Sequence, residues 1–265
     1  MCHPDKPFKV VGLSGAGGNV KRKDIISGIL IAFGLVLTVT GFLKAEVRWE
    51  NLGLAAVILG LVVATIKPSN LVKAETASLL LSGYHETMTN LLRGLSLEGN
   101  AVYLPPYGNL PKGGLFVPLR EDFDLDPARL SEDEPFVTNV PTEKQMGLLL
   151  KPPGAELLEK FEEHLEGPVT SIAELEGAAG AVLKTLGLAD RVYIEEGEET
   201  IKIIIQPQQC HFSEACTKVA CPICSSILLG LTKATGNVIT VGAIEKKDYG
   251  IEIMARKLGG IEKWM

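Results

Sequence analysis

Residues Ile25 to Leu43 (IISGILIAFGLVLTVTGFL) are nineteen consecutive positions without a charge, and this run constrains the chain more than any other feature. As a helix it extends about 28 Å, close to the hydrocarbon thickness of a bilayer. A second uncharged run, Leu52 to Ile66 (LGLAAVILGLVVATI), follows the polar segment Lys44 to Asn51. With Trp49 and Lys67 as interfacial anchors, it predicts a second span over 49–66. The pair reads as a transmembrane hairpin over 25–66. A cleaved signal peptide fits less well, because the first run starts late, is long and is followed directly by another. Neither run contains an Asp, Glu, Lys, Arg or His, which argues against a proton or transport path through them.

Gly34 and Gly41 are seven apart in the first run, and Gly53 and Gly60 are seven apart in the second. Two helical turns bring such a pair back to nearly one face, so each span presents a glycine seam for helix association. Plain glycine enrichment of membrane helices produces the same spacing. Lys6, Lys9, Lys21, Arg22 and Lys23 precede the first span as a basic tail over 1–24, whereas the connecting turn holds Lys44 and Arg48. Lys67 and Lys73 follow the second span. The excess at the open end predicts a two-span cell-membrane protein with both termini in the cytoplasm. The tract Gly12 to Gly18 lacks a preceding strand and a GK[ST] ending, and is expected to be a flexible linker rather than a phosphate loop.

Composition then bounds the remainder. The chain has 265 residues, 46% of them hydrophobic, so disorder and a small disulfide scaffold are both excluded. Its net charge of −6 gives no basic footprint for nucleic acid, and none is expected as a partner. A mean hydropathy of +0.22 fits an apolar block joined to a soluble portion.

The soluble portion reads as α+β. Residues 74–150 form a helix and short-strand region: Ala74 to Leu95 is helical, and Ala101–Leu104 and Leu115–Leu119 are short strands around Pro105 and Pro106. Glu121 to Pro135 is an acidic segment without the order of an EF-hand, expected to be a solvated loop. Residues 151–258 form an α+β domain. One helix opens after Pro152-Pro153-Gly154, where Lys151 is the sole basic neighbour, so no anion site is assigned; His164 falls on its surface. A second helix opens on the capping box Ser171 and Glu174. Strands Arg191–Glu195 and Thr200–Gln206, a helix from Pro222 to Thr235 stopped by Gly236, and strands Val238–Ile244 and Gly250–Ala255 complete a ββαββ unit. The predicted fold class is thus an N-terminal two-helix hairpin followed by a cytosolic mixed α/β domain.

Four of the five cysteines, Cys210, Cys216, Cys221 and Cys224, lie within fifteen residues, with His211 among them. In a cytoplasmic domain such thiols favour metal or redox chemistry over structural disulfides. Three readings stand side by side. Four thiolates, or three with His211, offer a ligand set for zinc or an iron–sulfur cluster, although C-x5-C-x4-C-x2-C holds a single CxxC. Cys221-Pro222-Ile223-Cys224 at a helix start offers a nucleophilic thiolate at Cys221 and a resolving thiol at Cys224. The third reading is a set of buried structural thiols or stabilising disulfides.

The stretch Val182 to Leu258, through LGLADRVYI, ACPICSSILLGLTKATG and VITVGAIEKKDYGIEIMA, resembles the 4-vinyl reductase-type small-molecule-binding domain. Cys221, Gly230, Gly236 and Glu245 occupy comparable places. The whole chain also resembles uncharacterised archaeal two-span membrane proteins. The resemblance implies a ligand-sensing or binding module more than a catalyst. The expectation is therefore a membrane-anchored module for a small-molecule ligand or a membrane-protein partner, in contact with the lipid bilayer. The alternatives are a membrane-bound thiol oxidoreductase using Cys221 and Cys224, and a structural subunit of a membrane complex.

Overall fold

The computed structural model describes residues 16–65, 74–208 and 214–265. The chain divides into two compact units, one ending at Leu71 and one beginning at Val72.

The first unit is a helical hairpin of α1 (Ala16–Lys44) and α2 (Val47–Thr65). Both helices are long and apolar enough to cross a membrane. Two boundaries differ from the sequence expectation. α1 begins nine residues before the uncharged run, so the tail is helical from Ala16 onward, and Ala16-Gly17-Gly18 opens the helix instead of continuing a linker. Residues 1–15, including the rest of that tract, lie outside the described residues. α2 in turn takes in Val47 to Asn51, leaving a turn of only Ala45 and Glu46. Ala45 adopts φ 53°, and the Glu46 N–H donates to the Gly41 carbonyl at 3.0 Å, which closes the reversal.

Small residues let the two helices touch. Ser27, Gly34 and Gly41, each seven apart, are buried on α1, and Gly53 and Gly60 are buried on α2. A Cβ on Gly34 would stand 2.7 Å from the Val57 backbone nitrogen, and one on Gly53 would stand 2.7 Å from the Gly34 carbonyl oxygen. One on Gly41 would meet the Glu50 nitrogen at 2.5 Å, and one on Gly60 the Ile31 side chain at 2.6 Å. The glycine seams therefore face each other inside the hairpin. The outward residues are large and apolar, with Phe33, Val36, Phe42 and Leu61 all exposed. Burial is thus inverted relative to a water-soluble helix pair.

The second unit is built on one eight-stranded antiparallel sheet. Its elements in chain order are α3 (Ala74–Gly94), β1 (Val102–Leu104), β2 (Gly114–Pro118), β3 (Phe136–Val137), β4 (Gly147–Leu150), α4 (Ala155–Leu165), α5 (Ile172–Thr185), β5 (Ala189–Glu196), β6 (Thr200–Pro207), α6 (Pro222–Thr235), β7 (Asn237–Lys247) and β8 (Gly250–Gly260). The strand order across the sheet is β3-β4-β2-β1-β7-β8-β6-β5. The hairpins β5–β6 and β7–β8 join through β6–β8 pairing, and β1 docks on β7 with Val102 opposite Thr240.

α6 is the central helix. Every residue from Ile223 to Thr232 is buried, and Ser226 and Thr232 satisfy their hydroxyls on the Ile223 and Leu229 carbonyls at 2.8 and 2.7 Å. The stretch Ala215–Thr235 has the length and composition of a membrane span, yet it lies buried inside this unit. α4 and α5 cross α6: a Cβ on Gly230 would strike the Leu175 side chain of α5. α5 starts as the sequence indicates, with Ser171 Oγ accepting from the Glu174 N–H at 3.3 Å. The Glu174 carboxylate accepts from Thr170, one residue before the cap.

One face of the sheet packs on these helices through Tyr103, Leu115, Ile203, Ile239 and Ile253. The opposite face of β1, β2 and β4 forms a second core of Val102, Leu104, Phe116 and Leu149. Leu125 and Leu130 of the acidic segment are buried in it. That segment is therefore no purely solvated loop: its carboxylates face outward while two leucines pin it to the sheet.

Candidate functional site

The cysteine motif lies at the start of α6. Cys221 is the N-cap residue (φ −61°, ψ 160°), Pro222 is the first helical residue, and Cys224 stands within the first turn. Cys216 lies on the short 3-10 turn Glu214–Thr217, which the backbone holds in place: the Ala101 N–H donates to the Thr217 carbonyl at 2.9 Å, and Lys218 Nζ donates to the Leu97 carbonyl. Cys216, Cys221 and Cys224 are only 3%, 5% and 4% exposed and belong to one apolar core. Cys210 and His211 lie outside the described residues. Among the described residues no group of three His, Cys, Asp or Glu side chains is arranged to hold a metal ion.

Sequence reasoning missed the company these sulfurs keep. Tyr103 on β1 and Ser225 on α6 are fully buried. Burial pushes the Tyr103 phenol far above its ordinary value; the nearby Ser225 hydroxyl opposes that shift, and Cys224 and Cys221 add to it. Although the two hydroxyls are neighbours, neither closes a hydrogen bond of good geometry within the described structure. Tyr84 of α3 has its phenol pushed up to about 12, by burial first and by Cys221 second. His85, also buried, meets Tyr84 edge to face at 5.9 Å between ring centroids. Three thiols and two phenols thus gather around the start of α6. His164, by contrast, is exposed on α4.

The second candidate is a cavity of about 380 Å³ between the β1–β2 connection, β4 and the start of α4. Leu110, Leu149, Leu150 and Ala155 form its apolar floor, and Lys112, Glu132 and Lys151 stand around its rim. Lys112 is held by Glu159 at 2.8 Å, and Lys151 by Glu156 at 2.6 Å. The hydrogen bond to Glu159 holds the Lys112 ammonium above its usual value and the carboxylate below its own. Both pairs are exposed, so they add little stability and exchange partners at low cost. Gly113, at φ 75°, lets the wall form, since a Cβ there would stand 2.7 Å from the Leu104 carbonyl oxygen. Lys151 is visible in the sequence beside a helix start. Lys112 is not, because 39 residues separate them and only the β2–β4 pairing of Leu115 with Leu150 brings them to one rim.

The molecule is thus defined as an apolar helical hairpin joined in one chain to an α+β unit on an antiparallel sheet. The chain belongs to the family described as a domain of unknown function (DUF7982), whose model matches residues 20–254 and so takes in both units. No curated protein and no solved structure matches it.

Proposed function

We propose that this chain is a membrane-anchored module that binds a small molecule in the cavity beside α4, with both termini on the cytoplasmic side. The observation that carries the reading is the cavity itself, with an apolar floor and a rim bearing charges of both signs. Its volume falls within the range of small-molecule sites, and a few polar groups around an apolar floor is their usual composition. The inverted burial of the hairpin supports an anchor, because a hydrocarbon solvent covers such an exterior without penalty.

The test is a thermal-melt screen of the detergent-solubilised chain against small amphipathic acids, amines and zwitterions. A true ligand at a hundred times its Kd stabilises the folded state by about 2.7 kcal/mol. Gly114→Val, which places a side chain among Leu110 and Leu149, should abolish the shift. A panel without any stabilising compound, or shifts that survive this substitution, would overturn the reading.

A second reading, thiol exchange, is favoured by one observation: Cys221 caps α6, where the helix dipole stabilises a thiolate. In it the Cys221 sulfur attacks a small disulfide and displaces one thiol. Cys224 then attacks the Cys221 sulfur of the mixed disulfide, which forms the Cys221–Cys224 bond and releases the second thiol. Burial of both sulfurs restricts such a substrate to a small molecule. Exchange activity that vanishes in Cys221→Ser would favour it; a turnover unchanged by that substitution would remove it.

A further inference from the structure

The uncharged part of α1 begins at Ile25, but the helix begins at Ala16, so Lys21, Arg22 and Lys23 ride on the same rod. They stand two to four residues before Ile25, which is about 3–6 Å along the axis. Three successive positions at 100° steps occupy an arc of about 200° around the helix. The hairpin register places this arc. Gly60 of α2 packs against Ser27 and Ile31 of α1, and the helices run antiparallel, so Thr65 at the end of α2 comes level with about residue 24. The basic residues are therefore at the open end of the hairpin, level with the carbonyl end of α2, where cations are favoured. Lys21, Arg22 and Lys23 stand here beside the carboxylate of Asp24, and in sequence Lys67 follows Thr65 by two residues. The closed end balances Lys44 and Arg48 against Glu46 and Glu50.

We infer that this arc is a binding site for anionic phospholipid headgroups. The inference rests on the membrane reading. Given insertion of the uncharged run, helical continuity sets Lys21, Arg22 and Lys23 at the depth of the headgroup phosphates, and a juxtamembrane cluster of cations attracts acidic lipids. The chemistry required of the partner is a phosphate carrying net negative charge at a fixed depth, which a neutral zwitterionic lipid lacks.

The full chain is reconstituted into nanodiscs containing equal phosphatidylglycerol and phosphatidylcholine on both faces, and the lipids it retains are counted by native mass spectrometry. Symmetric discs remove any effect of insertion direction. Phosphatidylglycerol should be enriched on the order of tenfold, falling toward parity at 0.5 M salt. Enrichment should be lost in the triple variant Lys21→Gln, Arg22→Gln, Lys23→Gln and kept in Lys44→Gln, Arg48→Gln. Incorporation without enrichment, or enrichment that survives the triple variant, would overturn this inference alone. A chain that remains outside the discs would overturn the membrane reading as well.

Discussion

Gly154 and Ser226 pack backbone against backbone: a Cβ on Gly154 would come 2.5 Å from the Ser226 Cα and 2.6 Å from the Pro222 carbonyl oxygen. This contact fixes the start of α4, which borders the cavity, against the first turns of α6, which carries the cysteine motif. The two candidate sites share a structural joint.

Gly154→Ala should therefore cost about 2 kcal/mol, the usual penalty for forcing a methyl group into a filled interface. Urea denaturation of the full chain in detergent, followed by circular dichroism, measures it. Gly177 in the middle of α5 is the control. It is exposed and a Cβ there meets nothing within 4 Å, so Gly177→Ala should stabilise by about 1 kcal/mol.

In the hairpin, Gly34→Leu and Gly53→Val should separate α1 from α2, because each Cβ would strike backbone of the facing helix. Gly28 faces open space, so Gly28→Leu should leave the pair intact. Spin labels near both helix ends, read by electron resonance distance measurement, would show a lengthened distance only for the first two. Equal distances in all three would contradict the seam.

Tyr103 titrates far above its normal range because its phenol is buried. A folded-state value raised above the unfolded one contributes stability below pH 10 that declines as pH rises through the unfolded value and beyond. Tyr84, at about 12, adds to the same alkaline limb. Unfolding free energy should fall from pH 10 upward, and Tyr103→Phe should flatten that fall. At pH 7 the same substitution should be close to neutral, since the removed hydroxyl closes no well-formed hydrogen bond. A loss above about 1.5 kcal/mol at pH 7 would reveal a partner for it.

On β8, Glu252 accepts from the Tyr249 hydroxyl at 2.6 Å and pairs with Lys202 at 3.0 Å, which holds its carboxyl below its ordinary value of 4.5. The carboxylate's contribution is present above that pH and is lost as acidity protonates it in the folded state. The stability difference between the native chain and Glu252→Gln should accordingly shrink as pH falls below 4.5. Acid titration of both proteins, followed by fluorescence, checks the sign.

The outer edge of the sheet carries its own safeguard. The Ile194 N–H of edge strand β5 donates to Glu176 of α5 at 2.9 Å, which leaves one fewer backbone donor for a foreign strand. Glu176→Ala should cost about 1 kcal/mol and raise the aggregation rate seen by light scattering.

How much of this was legible in the sequence depends on range. α6 was readable because Pro222 and Gly236 punctuate it, and Gly236 does adopt φ 68° as its stop. The β5–β6 and β7–β8 hairpins were readable from local alternation, although β7 and β8 run longer than expected because pairing with each other extends them to eleven residues apiece. β3 and β4 were missed: two and four residues are too short to show a period, and β4 exists through long-range pairing with β2 and β3 through pairing with β4. The start of α1 was missed because charge marks where hydrocarbon ends, not where a helix ends. Ser27 was missed from the seam because attention to glycine alone overlooks another small residue at the same seven-residue step. Around the cysteines the sequence showed the sulfurs but not Tyr84, Tyr103 and Ser225, which three separate elements deliver.

The two-residue reversal at Ala45 and Glu46 has a consequence for how this protein tolerates change. One residue added there would rotate the second helix by about 100° about its own axis and carry Gly53 and Gly60 away from the partner helix. Length at that corner is therefore constrained far more tightly than residue identity on the outward faces, where one aliphatic side chain serves as well as another. Relatives should vary freely in outward-facing spelling while keeping the same count of residues between Gly41 and Gly53.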